Sequence, residues 1–101
     1  MPLVSIIIVN WNGKKWLTGC LSSLNKQTFR NFEIIIVDNG STDNSAAFVR
    51  KNYSDAIIVK NSNNLDFSGG SNVGIKYSKG KYILFLNNDT VFKKDFLGNF
   101  I

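Results

Sequence analysis

An α/β fold built on a mostly parallel, doubly wound sheet with flanking helices is the architecture this sequence predicts, and three observations carry it. Four short apolar, β-branched or aromatic runs recur, at residues 3–9, 32–37, 56–59 and 82–86. Segments of helical length and periodicity separate them, and turns rich in Asn, Asp, Gly and Ser directly follow each run. Strand-like runs that alternate with helix-like segments form βα units, which assemble a parallel sheet.

The first run, Leu3-Val4-Ser5-Ile6-Ile7-Ile8-Val9, is nearly continuous in large apolar side chains, as are the second (Phe32 onward) and the fourth (Tyr82-Ile83-Leu84-Phe85-Leu86). That composition is expected of strands buried on both faces. Between the first two runs, Trp16, Leu17, Cys20, Leu21 and Leu24 fall at three- and four-residue steps, so one helix is expected to bury all five against the sheet. Gly19 within it costs about 1 kcal/mol relative to Ala and suits a close approach to a strand. A second helix is expected to open at Ser41-Thr42-Asp43, whose side-chain oxygens cap free amides, and to bury Ala46, Ala47, Phe48 and Val49. A third is expected near residues 68–77. A last amphipathic segment begins at Lys93-Lys94-Asp95 and runs to Ile101 without a capping glycine, so the sheet reads as truncated after its fourth strand.

With 44% hydrophobic and 19% charged residues, the 101-residue chain is expected to fold as a single domain, residues 1–101, and not as a disordered one. Its net charge of +5 is spread over scattered lysines and arginines, which suits phosphorylated ligands or peripheral association with an anionic membrane. No basic stripe interleaved with aromatics is present, so nucleic acid is not expected as a partner. A single cysteine and no histidine exclude an internal disulfide and the usual zinc sites. The N-terminus carries no signal-peptide pattern, and the chain reads as cytoplasmic.

In open α/β sheets, ligands bind beyond the carboxyl ends of the strands. The turns there read Asn10-Trp11-Asn12-Gly13, Asp38-Asn39-Gly40-Ser41-Thr42-Asp43, Asn61-Ser62-Asn63-Asn64 and Asn87-Asn88-Asp89-Thr90. Any one of them is ordinary turn chemistry. Four on one edge, with acids directly after the second run and close behind the fourth, point to a polar ligand. Asp38 and Asp89 suit a divalent cation holding a diphosphate. Asp38 equally suits a ribose hydroxyl or a base amide, the reading preferred for it, with metal assigned to Asp89. The segment Phe67-Ser68-Gly69-Gly70-Ser71-Asn72-Val73-Gly74 opens a helix with small residues, which fits either phosphate and sugar oxygens or a tight helix–sheet contact. It matches neither G-x-G-x-x-G nor a P-loop. Trp11 stands where a ring either stacks on a base or packs on the protein.

Taken together, the stretches 4–13, 33–43, 64–74 and 82–90 resemble, in order and spacing, the signature blocks of glycosyltransferase family 2, with Ile36-Val37-Asp38-Asn39-Gly40-Ser41-Thr42-Asp43 the most specific. The resemblance covers essentially the whole chain. It implies a Rossmann-like GT-A fold, a UDP- or dTDP-type sugar donor, Mn2+ or Mg2+, and inverting transfer to an acceptor hydroxyl. It places the donor against Val9, Asn10, Trp11, Asp38, Asn39, Asp66, Gly70, Asn72, Asn87 and Asn88, and the metal on Asp89. Asn87-Asn88-Asp89 stands where the family has its acidic D-x-D motif, a variant similar to the rhamnosyltransferase-like branch, and Asp66 replaces a glycine common in the family. Family members are longer, and their general base lies beyond the fourth strand, so no catalytic base is assigned and this chain alone is expected to transfer little sugar. The missing later strands are also expected to leave a sheet edge open to self-association. Two other readings compete. A non-catalytic nucleotide-binding or regulatory module would keep Asp38 without needing Asp89. A phosphoacceptor domain would want paired acids after the first strand, where Asn10 stands instead.

Overall fold

The computed structural model describes residues 2–62 and 66–100, with the side chain of Phe100 excepted. Asn63 and Asn64 of the third polar turn, and Leu65, lie outside the described residues. The elements run β1 (Val4–Asn10), α1 (Lys14–Asn25), β2 (Phe32–Asn39), α2 (Ser45–Asn52), β3 (Ile57–Asn61), α3 (Asp66–Tyr77), β4 (Tyr82–Phe85) and α4 (Phe96–Phe100).

The four strands form one parallel sheet in the order β3-β2-β1-β4. The chain grows outward from β1 through β2 to β3, then crosses back to place β4 on the opposite side of β1. The strand order therefore reverses between β1 and β4, and it is at the carboxyl ends beside such a reversal that open α/β sheets bind ligands.

Strand alternation divides the core between the two faces. Ile6, Ile8, Ile34 and Ile36 point to one face, where they pack with Leu17, Cys20, Leu21 and Leu24 of α1, Val49 of α2 and Leu97 of α4. Ile7, Ile35 and Val37 point to the other, beneath α3. Burying each such side chain contributes about 1.5–3 kcal/mol, so β1 and β2, apolar on both faces, anchor the fold. The close seat of α3 depends on glycine. A Cβ on Gly74 would lie 2.6 Å from Ile7 Cγ2, and one on Gly70 would lie 2.7 Å from Val9 Cγ1.

Several expectations are corrected. β4 is not buried on both faces: Tyr82, Ile83 and Phe85 are exposed, because β4 has one strand neighbour among the described residues. Trp16 is also exposed. The inward arc of α1 is filled by Leu17, Cys20, Leu21 and Leu24, which leaves the indole at its margin with the Lys15 ammonium 4.7 Å from the ring centroid. Gly19 faces Val91, 3.1 Å from a would-be Cβ, and not a strand. The second helix begins at Ser45, not at Ser41, because Asn44 adopts a left-handed conformation at φ 64°. That later start turns Ser45, Ala46 and Val49 inward, with Ala47 exposed and Phe48 half-buried. The third helix starts two residues earlier than expected, at Asp66.

Candidate functional site at the carboxyl edge of the sheet

Asn10 and Asp38 are register partners at the carboxyl ends of β1 and β2. Both are buried, with Asp38 1% exposed. Asp38 Oδ1 accepts hydrogen bonds from Ser41 Oγ at 2.6 Å and Asn10 Nδ2 at 3.0 Å, and its Oδ2 accepts from the Ser41 amide at 3.2 Å. Three donors on one buried carboxylate compensate its removal from water, since charge-assisted bonds are stronger than neutral ones. A carboxylate offers about four acceptor positions, and these donors take three of them.

The network extends in two directions. Toward α2, Ser41 Oγ accepts from the Asn12 amide at 2.8 Å, and Asn12 Oδ1 accepts from the Thr42 amide at 2.7 Å, which pins the two turns together. Asn12 can do this because Asn tolerates its left-handed φ of 51°. Toward β4, Asn10 Oδ1 accepts from Asn88 Nδ2 at 2.8 Å, across the point where the strand order reverses. Gly13 makes room for that bond, since a Cβ there would lie 2.1 Å from Asn88 Nδ2 and 2.4 Å from Asn10 Oδ1.

A second amide chain lies on the α3 side. Asn61 Nδ2 donates to Asn39 Oδ1 at 2.8 Å, and Asn39 Nδ2 donates to the Asp66 carbonyl at 3.1 Å, so buried Asn39 ties β3 to the start of α3. Asp66 has φ 60°, in the left-handed region that favours glycine, and its Oδ1 caps the Gly69 amide at 2.8 Å. Aspartate thus meets the same backbone demand and adds a cap. Gly70 is buried in contact distance of Val9 and Asn39, while Asn72 is exposed on the outer side of α3.

Around the crevice mouth, Trp11 is 54% exposed, and Asn87 and Asp89 are exposed after β4. A depression of about 430 Å³ beside Asn12, Lys14, Lys15, Thr18, Asp43 and Phe48 brings two cations near this edge. A cavity of about 240 Å³ lined by Arg30, Phe32, Tyr53 and Asp55, among others, sits at the amino end of β2, away from all of these groups. The Asp43 carboxylate joins the starts of both neighbouring helices. Its Oδ1 accepts from the Ser45 amide and hydroxyl, and its Oδ2 accepts from the Lys14 amide at 3.0 Å. Partial burial pushes its carboxyl up, but the bonds from Ser45 and Lys14 outweigh that and leave it below the usual value. Beneath the β4 turn, burial, followed by the Asp89 charge, pushes the Cys20 thiol up to about 11, and its Sγ sits 3.6 Å from the Asn87 carbonyl.

Among the described residues, no group of three or more His, Cys, Asp and Glu side chains could enclose a cation. The donor set fits a different arrangement. Asp89 presents one exposed, hard oxygen ligand, and Mg2+-like ions are held by one or two carboxylates plus substrate phosphates. Buried Asp38, already bonded to three donors, is not placed as a second ligand. Sequence reasoning singled out Asn10, Asp38 and Asn88, which the structure joins in one network. It did not single out Ser41 or Gly13. The signal for Ser41 was its place three residues after Asp38, the spacing of an aspartate that bonds the following turn.

The profile described as Glycosyl transferase family 2 matches residues 5–101. A curated relative from Escherichia coli, UDP-Glc:alpha-D-GlcNAc-diphosphoundecaprenol beta-1,3-glucosyltransferase WfaP, is 40% identical over 90 residues, covering 88% of this chain and 36% of the relative. Glycosyltransferase GlyG of Streptococcus pneumoniae serotype 4 is 33% identical over 99 residues, covering 94% of this chain and 33% of the relative. Among solved structures, S. aureus TarS 1-349 in complex with UDP superposes with a TM-score of 0.88 at 31% identity, covering 98% of this chain and 30% of that one. TarS 1-349 has also been solved with UDP-GlcNAc. The chain therefore spans about a third of the length of these relatives.

Proposed function

Because the chain belongs to glycosyl transferase family 2, we propose that its carboxyl-edge crevice binds the nucleoside diphosphate part of a UDP- or dTDP-sugar, as the donor half of an inverting transfer to an acceptor hydroxyl. The observation that carries this reading is the hydrogen-bonded network of Asp38, Asn10 and Ser41 at the point of strand reversal, flanked by exposed Trp11 and Asp89. The solved UDP and UDP-GlcNAc complexes of TarS, at 31% and 30% identity, support a uridine donor.

In this reading each residue has a physical task. Trp11 offers an apolar face for the base, at a position open enough to admit one. Asp38 turns its remaining acceptor position to a base N–H or a ribose hydroxyl, while Ser41 and Asn10 hold the carboxylate in place. Asn87 and Asp89 face the diphosphate. A divalent cation, Mn2+ or Mg2+, held by Asp89 and the donor's phosphate oxygens would supply the positive charge that a departing diphosphate requires. Val9, Asn39, Gly70 and Asp66 shape the α3 wall through contacts within the protein. Exposed Asn72 is left free to meet the sugar side. No residue of the chain is assigned as the base that takes the acceptor proton.

Calorimetric titration with UDP and dTDP, with and without Mn2+, tests the proposal. Binding that Mn2+ strengthens and Asp89→Ala returns to its metal-free level is expected. Absence of binding to either nucleotide would remove the reading.

A further inference from the structure

We infer that Asn88 is a positioning residue, whose side-chain amide holds the turn bearing Asp89 against β1 through Asn10, and that it is not a donor contact. The inference rests on the donor-site reading above and adds a division of labour within Asn87-Asn88-Asp89.

The orientation of the amides runs in one direction from Asp38. A carboxylate only accepts, so Asn10 must turn its NH2 toward Asp38 Oδ1, at 3.0 Å. The Asn10 oxygen then faces β4, and only a donor satisfies it there. Asn88 supplies that donor at 2.8 Å. Flipping either amide would set donor against donor or acceptor against acceptor beside a buried group. The charge on Asp38 thus fixes Asn10, and Asn10 fixes Asn88. Gly13 leaves the space the bond occupies: the atoms nearest to a Cβ on it are the two partners of this bond, both closer than real Cβ contacts allow.

The turn needs such a fastening. The Leu86 amide still bonds the Ile7 carbonyl at 3.1 Å, and the Phe92 amide bonds Ser23 Oγ at 3.0 Å. Between them, the Asn88 bond and the long Cys20 Sγ contact to the Asn87 carbonyl tie the segment to the body of the protein. Asp89 follows Asn88 directly, so the Asn10–Asn88 bond sets where its exposed carboxylate stands relative to Asp38.

Three variants test this: Asn88→Ala; Gly13→Ala, which keeps both amides but fills the space between them; and the double variant. Each is titrated with Mn2+ in the presence of UDP, reading free Mn2+ by its paramagnetic resonance signal, and with UDP alone in chelator. Loss of a partner that orients a metal ligand costs roughly 10–100-fold in metal affinity. Both single variants are expected to weaken Mn2+ by at least about tenfold, with the double variant no worse, and to leave metal-free UDP affinity unchanged. A purely structural role would lower both affinities together. Asn88→Ser replaces the alanine variant if that one fails to fold. Unchanged Mn2+ affinity in Asn88→Ala, or an equal loss of metal-free UDP binding, overturns the positioning role and leaves the donor site standing. If the unaltered chain binds no UDP, the donor-site reading and this inference fall together.

Discussion

Replacing Asp38 by asparagine isolates the charge at the centre of the site while keeping its shape. The native carboxylate receives three donors: Ser41 Oγ, Asn10 Nδ2 and the Ser41 amide. In Asp38→Asn the new oxygen can take the Oδ1 position, where two donors meet, but the new NH2 then faces the Ser41 amide at Oδ2. One buried donor pair is left unsatisfied, at about 1–3 kcal/mol, and two charge-assisted bonds weaken to neutral ones, at roughly 0.5–1.5 kcal/mol each. Relief of the buried charge offsets part of this, so a net loss of about 2–3 kcal/mol is expected. In a chain of this size, that lowers the melting temperature by about 10–20 °C. Urea unfolding followed by circular dichroism reads the change directly. Ser41→Ala should cost less than Asp38→Asn, and the two should not add, because they share a bond. A loss below about 0.5 kcal/mol in Asp38→Asn, the range of ordinary surface changes, would refute the three-donor arrangement.

Other consequences follow from the same geometry. Leu17→Ala, at a fully buried position in the α1 face, should destabilise the chain by about 2–5 kcal/mol in urea titration. The Cys20 thiol has its folded value raised from 9.0 to about 11, so the stability it contributes is complete below pH 9.0 and is lost as pH rises through 11. Urea midpoints across that window should fall in the unaltered chain and fall less in Cys20→Ala. For Asp43, whose value is lowered, the sign reverses: its contribution is present above 3.8 and is lost as pH falls through its lowered value. Asp43→Ala removes a cap from two helix starts and should cost about 1–2 kcal/mol, with Asp43→Asn recovering only the bonds at one oxygen, because its NH2 would face an amide donor at the other. With Tyr82, Ile83 and Phe85 exposed on β4, sedimentation of this chain at rising concentration is expected to reveal a growing dimer fraction.

The layers of the fold were legible in the sequence because burial on both faces of β1 and β2 leaves no freedom in composition: Ile6, Ile7 and Ile8 must all be apolar when consecutive side chains face opposite cores. The same composition misled at β4. An apolar run identifies a strand, but whether Tyr82, Ile83 and Phe85 are covered depends on strand order, which is a property of the whole sheet. Trp16 failed for a related reason, since helical spacing allows a residue at the margin of a buried stripe to face either way. The start of α2 was hidden by the left-handed Asn44, a backbone state that Asn permits but does not announce.

At the site, the Asn- and Asp-rich turns after β1, β2 and β4 marked the edge, and Asn10 and Asp38 proved to be register partners. The direction of each amide was not legible, because it follows from which neighbour is an obligate acceptor. Nor was the role of Gly13, whose spacing from Asn88 is long in sequence and short only once β4 crosses back beside β1. At Gly70 and Gly74 neighbouring side chains fill the space a Cβ would need, so the tight helix–sheet contact that the small residues allowed is present.

On the proposed reading, a nucleoside diphosphate seats at the carboxyl edge between β1, β2 and the β4 turn. Mapping amide and indole chemical shifts of the chain during titration with UDP and a diamagnetic divalent cation, Mg2+, tests it most directly. The largest changes are expected at the Trp11 indole, Asn12, Ser41 and Asn87 to Asp89. Changes concentrated instead at Arg30, Phe32, Tyr53 and Asp55, around the cavity at the opposite end of the sheet, would contradict it.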